Sequence, residues 1–496
     1  MVLFVLGASQ WLAPSAHLAA LDGAVYLAGA EGLGTGEGYR IVSAIGSPPL
    51  STYPPLHSAL SSWVWWLNAD YPSNLGILHL WMQILAATAL LLIYVDWVRH
   101  GMPPWLSASL CAAIGVSSLL QMLVVFFMAE PLFLVLVGAM AWWWRRFPEF
   151  AEKPSEAGWW AGLGGLASLM YMTRSAAAGI VAGIVIAGWF GGGPKRTRNL
   201  VGFLAPLVLV AGLWSLHPKV SSGGYLDYFS HRWAQLGGPG RAALLAATQF
   251  WEFVTGLTLL TALSDCVARF SNLRQIEAAG LVGPARLLQY LASMVVMALI
   301  VRGFLKSSDR GDKAVLVVIC FYLLQIVVWP FDMGPRGSIL LMPWWIRWAW
   351  TGWTSLQGVA TRPWAQTWIP ALAVVALVGT NLMISRMTFG PAKQEESLQV
   401  QMIGRWIRKN VPESDVVGAD GSVSFFDLYR ASGRRLLFGA GGEAQQRYQP
   451  VPQDPSLRAR FLVVYAEPKV PPLAGWVTRI QEGNFRVLER QAATTP

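Results

Sequence analysis

Residues 101–144 read GMPPWLSASLCAAIGVSSLLQMLVVFFMAEPLFLVLVGAMAWWW, and Glu130 is the only charge in these 44 residues. A bilayer-crossing helix needs about 20 apolar residues, so the run is too long for one crossing and suits two. A carboxylate in hydrocarbon is costly, which makes a lone ionisable residue in such a run a functional candidate. The next run, Ala157–Gly193, repeats the design with the opposite sign: its single charge, Arg174, lies near its middle. Each charge is expected at the turn of a helical hairpin, at one membrane face.

The composition agrees. The chain has 496 residues, 54% hydrophobic and 13% charged, with a mean hydropathy of +0.44. These values exclude an ordinary soluble protein and indicate a polytopic α-helical membrane protein. A transmembrane barrel would show short alternating segments instead. The net charge of +10 is explained by basic residues between spans, not by nucleic acid. Cys111, Cys266 and Cys320 lie in apolar surroundings at no metal-ligand spacing and read as packing residues. No cleavable signal peptide is evident. The first span is short, which reads as a start placed downstream of the native one.

Basic clusters set the topology. They are Arg99-His100, Arg145-Arg146 with Lys153, Lys195-Arg196-Arg198, and Arg302 through Lys313. The positive-inside rule assigns them to the cytoplasm, which puts Glu130 and Arg174 outside. By the same count the first external loop covers about 14–74 and a second large external region about 217–280. The segment Phe331–Arg336 is external too. About eleven spans result, centred near residues 8, 86, 113, 137, 165, 183, 207, 293, 322, 347 and 374. This count takes Trp63–Leu67 as too short to cross and 242–263 as packed at the outer surface. The protein is then multi-pass in the cytoplasmic membrane, with a cytoplasmic N-terminus. Residues 1–385 form the transmembrane domain, and 386–496 form a small extracytoplasmic α/β domain. In that domain 394–409 reads as a helix stopped at Val411-Pro412, with strands at 461–465 and 485–488.

The first external loop is rich in signals. Asp22 and Tyr26, four apart, share a helix face. Val25, Leu27 and Ala28 suit a helix lying on the membrane surface. Gly32–Tyr39 has the spacing of a phosphate-binding loop, but no strand precedes it. Ser47-Pro48-Pro49 and Tyr53-Pro54-Pro55-Leu56 carry two diproline units that break any helix, and His57 follows. Further on, Tyr225–Arg232 mixes aromatic and charged residues and suits either substrate contact or an ordinary amphipathic surface helix.

The order of these features resembles the GT-C superfamily of membrane glycosyltransferases, in particular its protein O-mannosyltransferase and aminoarabinose transferase branch. The resemblance rests on Asp22-x-x-x-Tyr26, Tyr53-Pro-Pro-Leu, the Glu130-Pro131 pair and Thr173-Arg174. It extends to the Trp329–Arg336 segment with Leu341-Met342-Pro343, and to Trp406–Pro412. It implies a GT-C-like transmembrane domain and inverting transfer of a sugar from a polyprenyl-phosphate donor. The acceptor is a hydroxyl or an amine-bearing glycan, lipid or protein. Asp22 is implied as the general base. Glu130, Arg174 and Arg336 are implied substrate-binding residues, with Tyr26, Tyr53 and His57 lining the site. No cofactor is required; a divalent cation fits the chemistry, although Asp22 lacks the adjacent second acid of many relatives.

Each residue also has a plainer reading. Asp22 suits a helix N-cap, and Glu130 before Pro131 suits a helix N-terminus. Arg174 can snorkel to lipid phosphates, and Arg336 can anchor at the interface. His57 suits a packed position, and Tyr26 and Tyr53 suit wall positions. Two rival functions stay open: a ligase or polymerase using a lipid-linked oligosaccharide, and a secondary transporter or flippase.

Overall fold

The computed structural model describes residues 21–51, 53–71, 73–144, 156–191, 195–216, 230, 233–234, 238–256, 279–307, 310–328, 336–356, 359, 361–389, 391–419, 425–438, 460–465, 476–483 and 485–491. The expected span near residue 8, the loop 225–232 apart from Ser230, and residues 331–335 lie outside them. The chain divides into two compact units. The first comprises 1–12, 83–124 and 130–388; the second comprises 13–82, 125–129 and 389–496. The sequence reading places one boundary at 385; the second unit takes in the whole of the first loop as well as the C-terminal segment.

The described helices begin with α1 (Leu21–Gly34), α2 (Leu56–Ser61) and α3 (Trp63–Leu67), followed by α4 (Leu75–Arg99), α5 (Pro104–Gly115), α6 (Ser118–Val125) and α7 (Glu130–Trp144). Next come α8 (Glu156–Thr173), α9 (Ala177–Gly191), α10 (Arg196–Ser215), α11 (Pro239–Gly256) and α12 (Ala279–Lys306). Then follow α13 (Arg310–Val327), α14 (Arg336–Ile339), α15 (Met342–Thr354) and α16 (Pro363–Phe389). The expected centres from 86 to 374 each fall within one of these helices. Four of them, α4, α10, α12 and α16, are long and apolar enough to cross a membrane; a fifth span results if the bent α5–α6 pair is counted as one. Helices α7 and α15, of 15 and 13 residues, fall short of the roughly 20 that a span requires.

The 101–144 run shows how the first unit is shaped. Helices α5 and α6 meet at 54°. At the break Ser117 Oγ donates to the Ile114 carbonyl at 2.7 Å and accepts from the Leu120 amide at 3.2 Å. Gln121 Nε2 donates to the Gly115 carbonyl at 2.6 Å. These side chains satisfy backbone groups that the broken helix frees. Elsewhere in the unit small residues set the packing. A Cβ at Gly179 or Gly183 of α9 would collide with the α13 backbone at Tyr322 or Val318. Gly303 of α12 and Gly352 of α15 likewise face each other's helix backbone. Close approach of this kind drives helix association where lipid supplies no hydrophobic force. Outward residues such as Val208, Leu209 and Leu213 of α10 are exposed and apolar, as a lipid-facing surface requires.

The second unit adds α17 (Pro391–Asn410), β1 (Val417–Ala419), α18 (Phe425–Ser432), β2 (Leu437–Phe438), β3 (Phe461–Tyr465), β4 (Trp476–Glu482) and β5 (Phe485–Arg490). The sheet order is β2-β1-β3-β5-β4; β1 is parallel to β2 and β3, and β5 is antiparallel to β3 and β4. Val400, Ile403 and Ile407 give α17 a buried stripe at helical spacing. One isolated bridge ties the first loop to the residue before β2. Leu436 pairs with Ala44: its amide donates to Ser43 at 2.9 Å, and its carbonyl accepts from Ile45 at 3.2 Å. Helix α1 departs from the expected surface helix. Val25, Tyr26, Leu27, Ala28 and Ala30 are all buried, because the helix packs against α2 and α3.

Candidate functional site

The sequence-predicted site residues form two clusters, one in each unit. In the second unit, Asp22 lies in the first turn of α1 and is buried. Tyr53 donates its hydroxyl to Asp22 Oδ1 at 2.7 Å. Tyr53 sits in the extended diproline segment, which Tyr39 fixes by directing its hydroxyl at the Tyr53 and Pro54 carbonyls, 3.1 and 3.3 Å away. Burial pushes the Tyr39 phenol well above its ordinary range, so it stays a donor.

Aromatic rings wall the carboxylate. Tyr26 lies edge-on to Tyr53 and to His57, with centroids 5.2 and 5.1 Å apart. Ser58 ties down the Tyr26 carbonyl at 2.9 Å. His57 is fully buried, its Nε2 3.3 Å from the Phe127 carbonyl oxygen and its ring 4.9 Å from the Phe127 ring. The 125–129 segment reaches α1 because Gly23 has no side chain; a Cβ there would overlap the Phe126 carbonyl. Phe127 pays for this path with a φ of +54°, a left-handed conformation that bulky residues rarely adopt. Such strain concentrates at functional sites.

In the first unit, Glu130 opens α7 and is 2% exposed. Its position suits the helix N-terminus electrostatically, and Pro131 costs nothing in the first turn. Arg174 occupies the turn between α8 and α9: its amide donates to Met170, and its carbonyl accepts from Ala177, both at 3.0 Å. Its guanidinium is ion-paired with Glu130 Oε1. Arg336, at the start of α14, brings Nη1 to 3.7 Å from the same oxygen. Both hairpin charges thus sit at turns, and they meet.

Two further residues escaped the sequence reading. Gln325 of α13 latches the turn, accepting from the Gly179 amide at 2.6 Å and donating to the Ser175 carbonyl at 3.3 Å. A lone glutamine inside the apolar run 314–328 was the available signal. Tyr322, one turn earlier, is fully buried and lies within electrostatic reach of Arg174, Glu130 and Arg336. Among the described residues its hydroxyl has no hydrogen-bond partner. An aromatic residue in an aromatic-rich chain gives no such signal. Among the described residues, no three His, Cys, Asp or Glu side chains form a metal-holding group.

Chemically, the first-unit cluster is a buried carboxylate with two guanidinium groups at one of its oxygens, and guanidinium is the side-chain group whose planar fork matches phosphate and carboxylate anions. The second-unit cluster is a buried carboxylate oriented by a phenol. No protein-family model and no curated protein sequence matches the chain. Among solved structures it is similar to ArnT from Cupriavidus metallidurans bound to undecaprenyl phosphate, with a TM-score of 0.58 and 12% identity over 100% of this chain and 98% of that one. It is also similar to the apo state of ArnT, with a TM-score of 0.54 and 12% identity over 98% and 97% of the two chains. The archaeal oligosaccharyltransferase AglB from Archaeoglobus fulgidus, in complex with an inhibitory peptide and a dolichol-phosphate, gives a TM-score of 0.54 at 12% identity, covering 93% of this chain and 68% of that one. The chain therefore shares the fold of ArnT and AglB.

Proposed function

We propose that this protein is an inverting glycosyltransferase that moves a sugar from a polyprenyl-phosphate donor to an acceptor hydroxyl or amine at the outer face of the cytoplasmic membrane. The observation that carries the proposal is the buried Glu130 carboxylate, ion-paired with Arg174 and close to Arg336. A phosphate monoester leaves as a stable anion and needs cationic stabilisation as its bond to the sugar breaks. Arginine supplies this with paired N–H donors. Glu130 aims the two guanidinium groups and limits their mutual repulsion. The Tyr322 hydroxyl, buried and unpartnered among the described residues, offers a further donor to a phosphate oxygen.

In this reaction the acceptor oxygen attacks the anomeric carbon, and the carbon–oxygen bond to phosphate breaks. The acceptor proton passes to Asp22, and polyprenyl phosphate departs with the bonding pair. A single displacement inverts the anomeric centre. A positioned base typically contributes ~10²–10⁴-fold. Tyr53 holds the Asp22 carboxylate at 2.7 Å, and Tyr26 and His57 wall it. About eleven crossings and an extracytoplasmic C-terminus belong to the same reading.

The AglB likeness favours a second reading, transfer of a whole lipid-linked oligosaccharide. The ArnT likeness, to a structure bound to undecaprenyl phosphate, supports a polyprenyl-phosphate donor under either reading. Mass spectrometry of membrane lipids from a deletion strain separates the two. An accumulated polyprenyl-phosphate monosaccharide supports the proposal. An accumulated lipid-linked oligosaccharide selects the second reading, and an unchanged lipid profile excludes both.

A further inference from the structure

The C-terminal part of the second unit carries buried charge that the reaction above does not use. Helix α18 presents Arg430 to the first loop. Its Nη1 donates to Glu31 Oε1 at 2.8 Å, and its Nη2 donates to the Ala69 carbonyl at 3.0 Å. The guanidinium lies 5.7 Å from the Tyr71 ring centre and 5.9 Å from that of Tyr429. Tyr71 in turn donates its hydroxyl to Asp427 on the same helix. One side chain of the appended segment thus gathers α1, the 68–71 turn and α18.

Glu31 lies on the helix that carries Asp22, nine residues on, or about 13 Å along the axis. Near Asp22 the helix is held by Tyr53 and by the close pass of the 125–129 backbone at Gly23. Near its other end it is held by Arg430. A 14-residue helix pinned at two points has a fixed tilt, and the tilt sets where the Asp22 carboxylate points.

The clasp is poorly built for stability alone. Glu31 is 4% exposed, and among the described residues its Oε2 has no hydrogen-bond partner. Burial raises its pKa, against the lowering effect of Arg430. Apolar residues of similar volume commonly stabilise as well as a buried ion pair does. What the pair adds is directional geometry, through the planar fork of arginine.

We propose that Arg430 is a positioning residue: by fixing Glu31 and Ala69 together, the appended domain sets the orientation of the Asp22 helix and thereby the rate of the chemical step. The proposal rests on Asp22 being the base. It is tested on the full-length protein in liposomes by hydrogen-exchange mass spectrometry and by turnover. The donor source is total lipid extract from the deletion strain, and the acceptor source is membranes from the same strain. In Arg430→Met, exchange over residues 21–34 should speed by about tenfold or more while strands 461–465 and 485–490 stay protected. Turnover should fall by roughly 10–100-fold with an apparent KM for the extract changed by less than about twofold. Arg430→Lys keeps the charge without the fork and should recover part of the loss. It also replaces Arg430→Met if that variant exposes the strands. The double variant Glu31→Gln/Arg430→Met removes the buried charge; it should regain thermal stability but not turnover. Arg479→Ala, on exposed β4, should change neither readout. Unaltered exchange at 21–34 in Arg430→Met, or wild-type turnover in the double variant, overturns the proposal. Failure of the base assignment shows separately, as full turnover in Asp22→Asn while Arg430→Met still loosens 21–34.

Discussion

Arg174 and Glu130, 44 residues apart in sequence and each the only charge of its apolar run, form a buried ion pair between two helix turns. Each charge is costly there alone. The pair resolves the cost of each, and Arg336 shares the same carboxylate oxygen at 3.7 Å.

Removing the carboxylate should therefore destabilise the fold. Breaking a fully buried pair costs about 3–5 kcal/mol. The cost here is smaller, because the Arg174 and Arg336 side chains retain 11% and 18% exposure. Glu130→Ala should lower the thermal midpoint of the detergent-solubilised protein, and Glu130→Gln should lower it less. A midpoint equal to wild type in Glu130→Ala would mean the pair contributes nothing.

Tyr53→Phe deletes the hydroxyl that donates to Asp22 and leaves the ring contact with Tyr26 in place. A hydrogen bond to a charged group is worth about 1.5–3 kcal/mol, so turnover should fall by roughly 10–100-fold. Donor binding should hold. Undiminished turnover would remove Tyr53 from the chemistry.

Tyr322→Phe separates folding from binding. The hydroxyl has no protein partner among the described residues, so the variant should be as stable as wild type or slightly more so. Affinity for undecaprenyl phosphate should drop by about fivefold to tenfold, the worth of one hydrogen bond of ~1 kcal/mol or more. A stability loss with unchanged affinity would make Tyr322 a packing residue.

Glu31 gives a pH signature. Its pKa is raised, chiefly by burial, so the folded protein holds a proton that the unfolded chain releases. Stability should then fall as pH rises from the ordinary carboxylate value of 4.5 to the raised one, and level off above it. The thermal midpoint of Glu31→Gln should lack this component. An identical midpoint-against-pH curve for the two proteins would contradict it.

The legible and illegible parts of the chain divide along physical lines. Helices were readable because long apolar runs have few other uses, and Glu130 and Arg174 stood out because charge in such runs is rare. Strands read at 461–465 and 485–488 announced themselves through β-branched and aromatic residues; the second runs on to Arg490. That α1 is buried was missed: its apolar residues were assigned to the membrane surface, whereas they pack mainly against α2 and α3. Arg430 lies in a polar segment with no periodic signal, so its hold on Glu31, 399 residues away, could not be read. Tyr322 looked like any core aromatic; its hydroxyl, without a hydrogen-bond partner among the described residues, distinguishes it.

The most direct measurement is binding of undecaprenyl phosphate to the purified full-length protein, followed by native mass spectrometry. Wild type and Asp22→Asn should retain the lipid equally, because Asp22 acts on the acceptor. Arg174→Met should weaken it by at least about tenfold, the loss of a paired charge-assisted contact. Wild-type affinity in a folded Arg174→Met variant would contradict the assignment of this cluster to the donor phosphate.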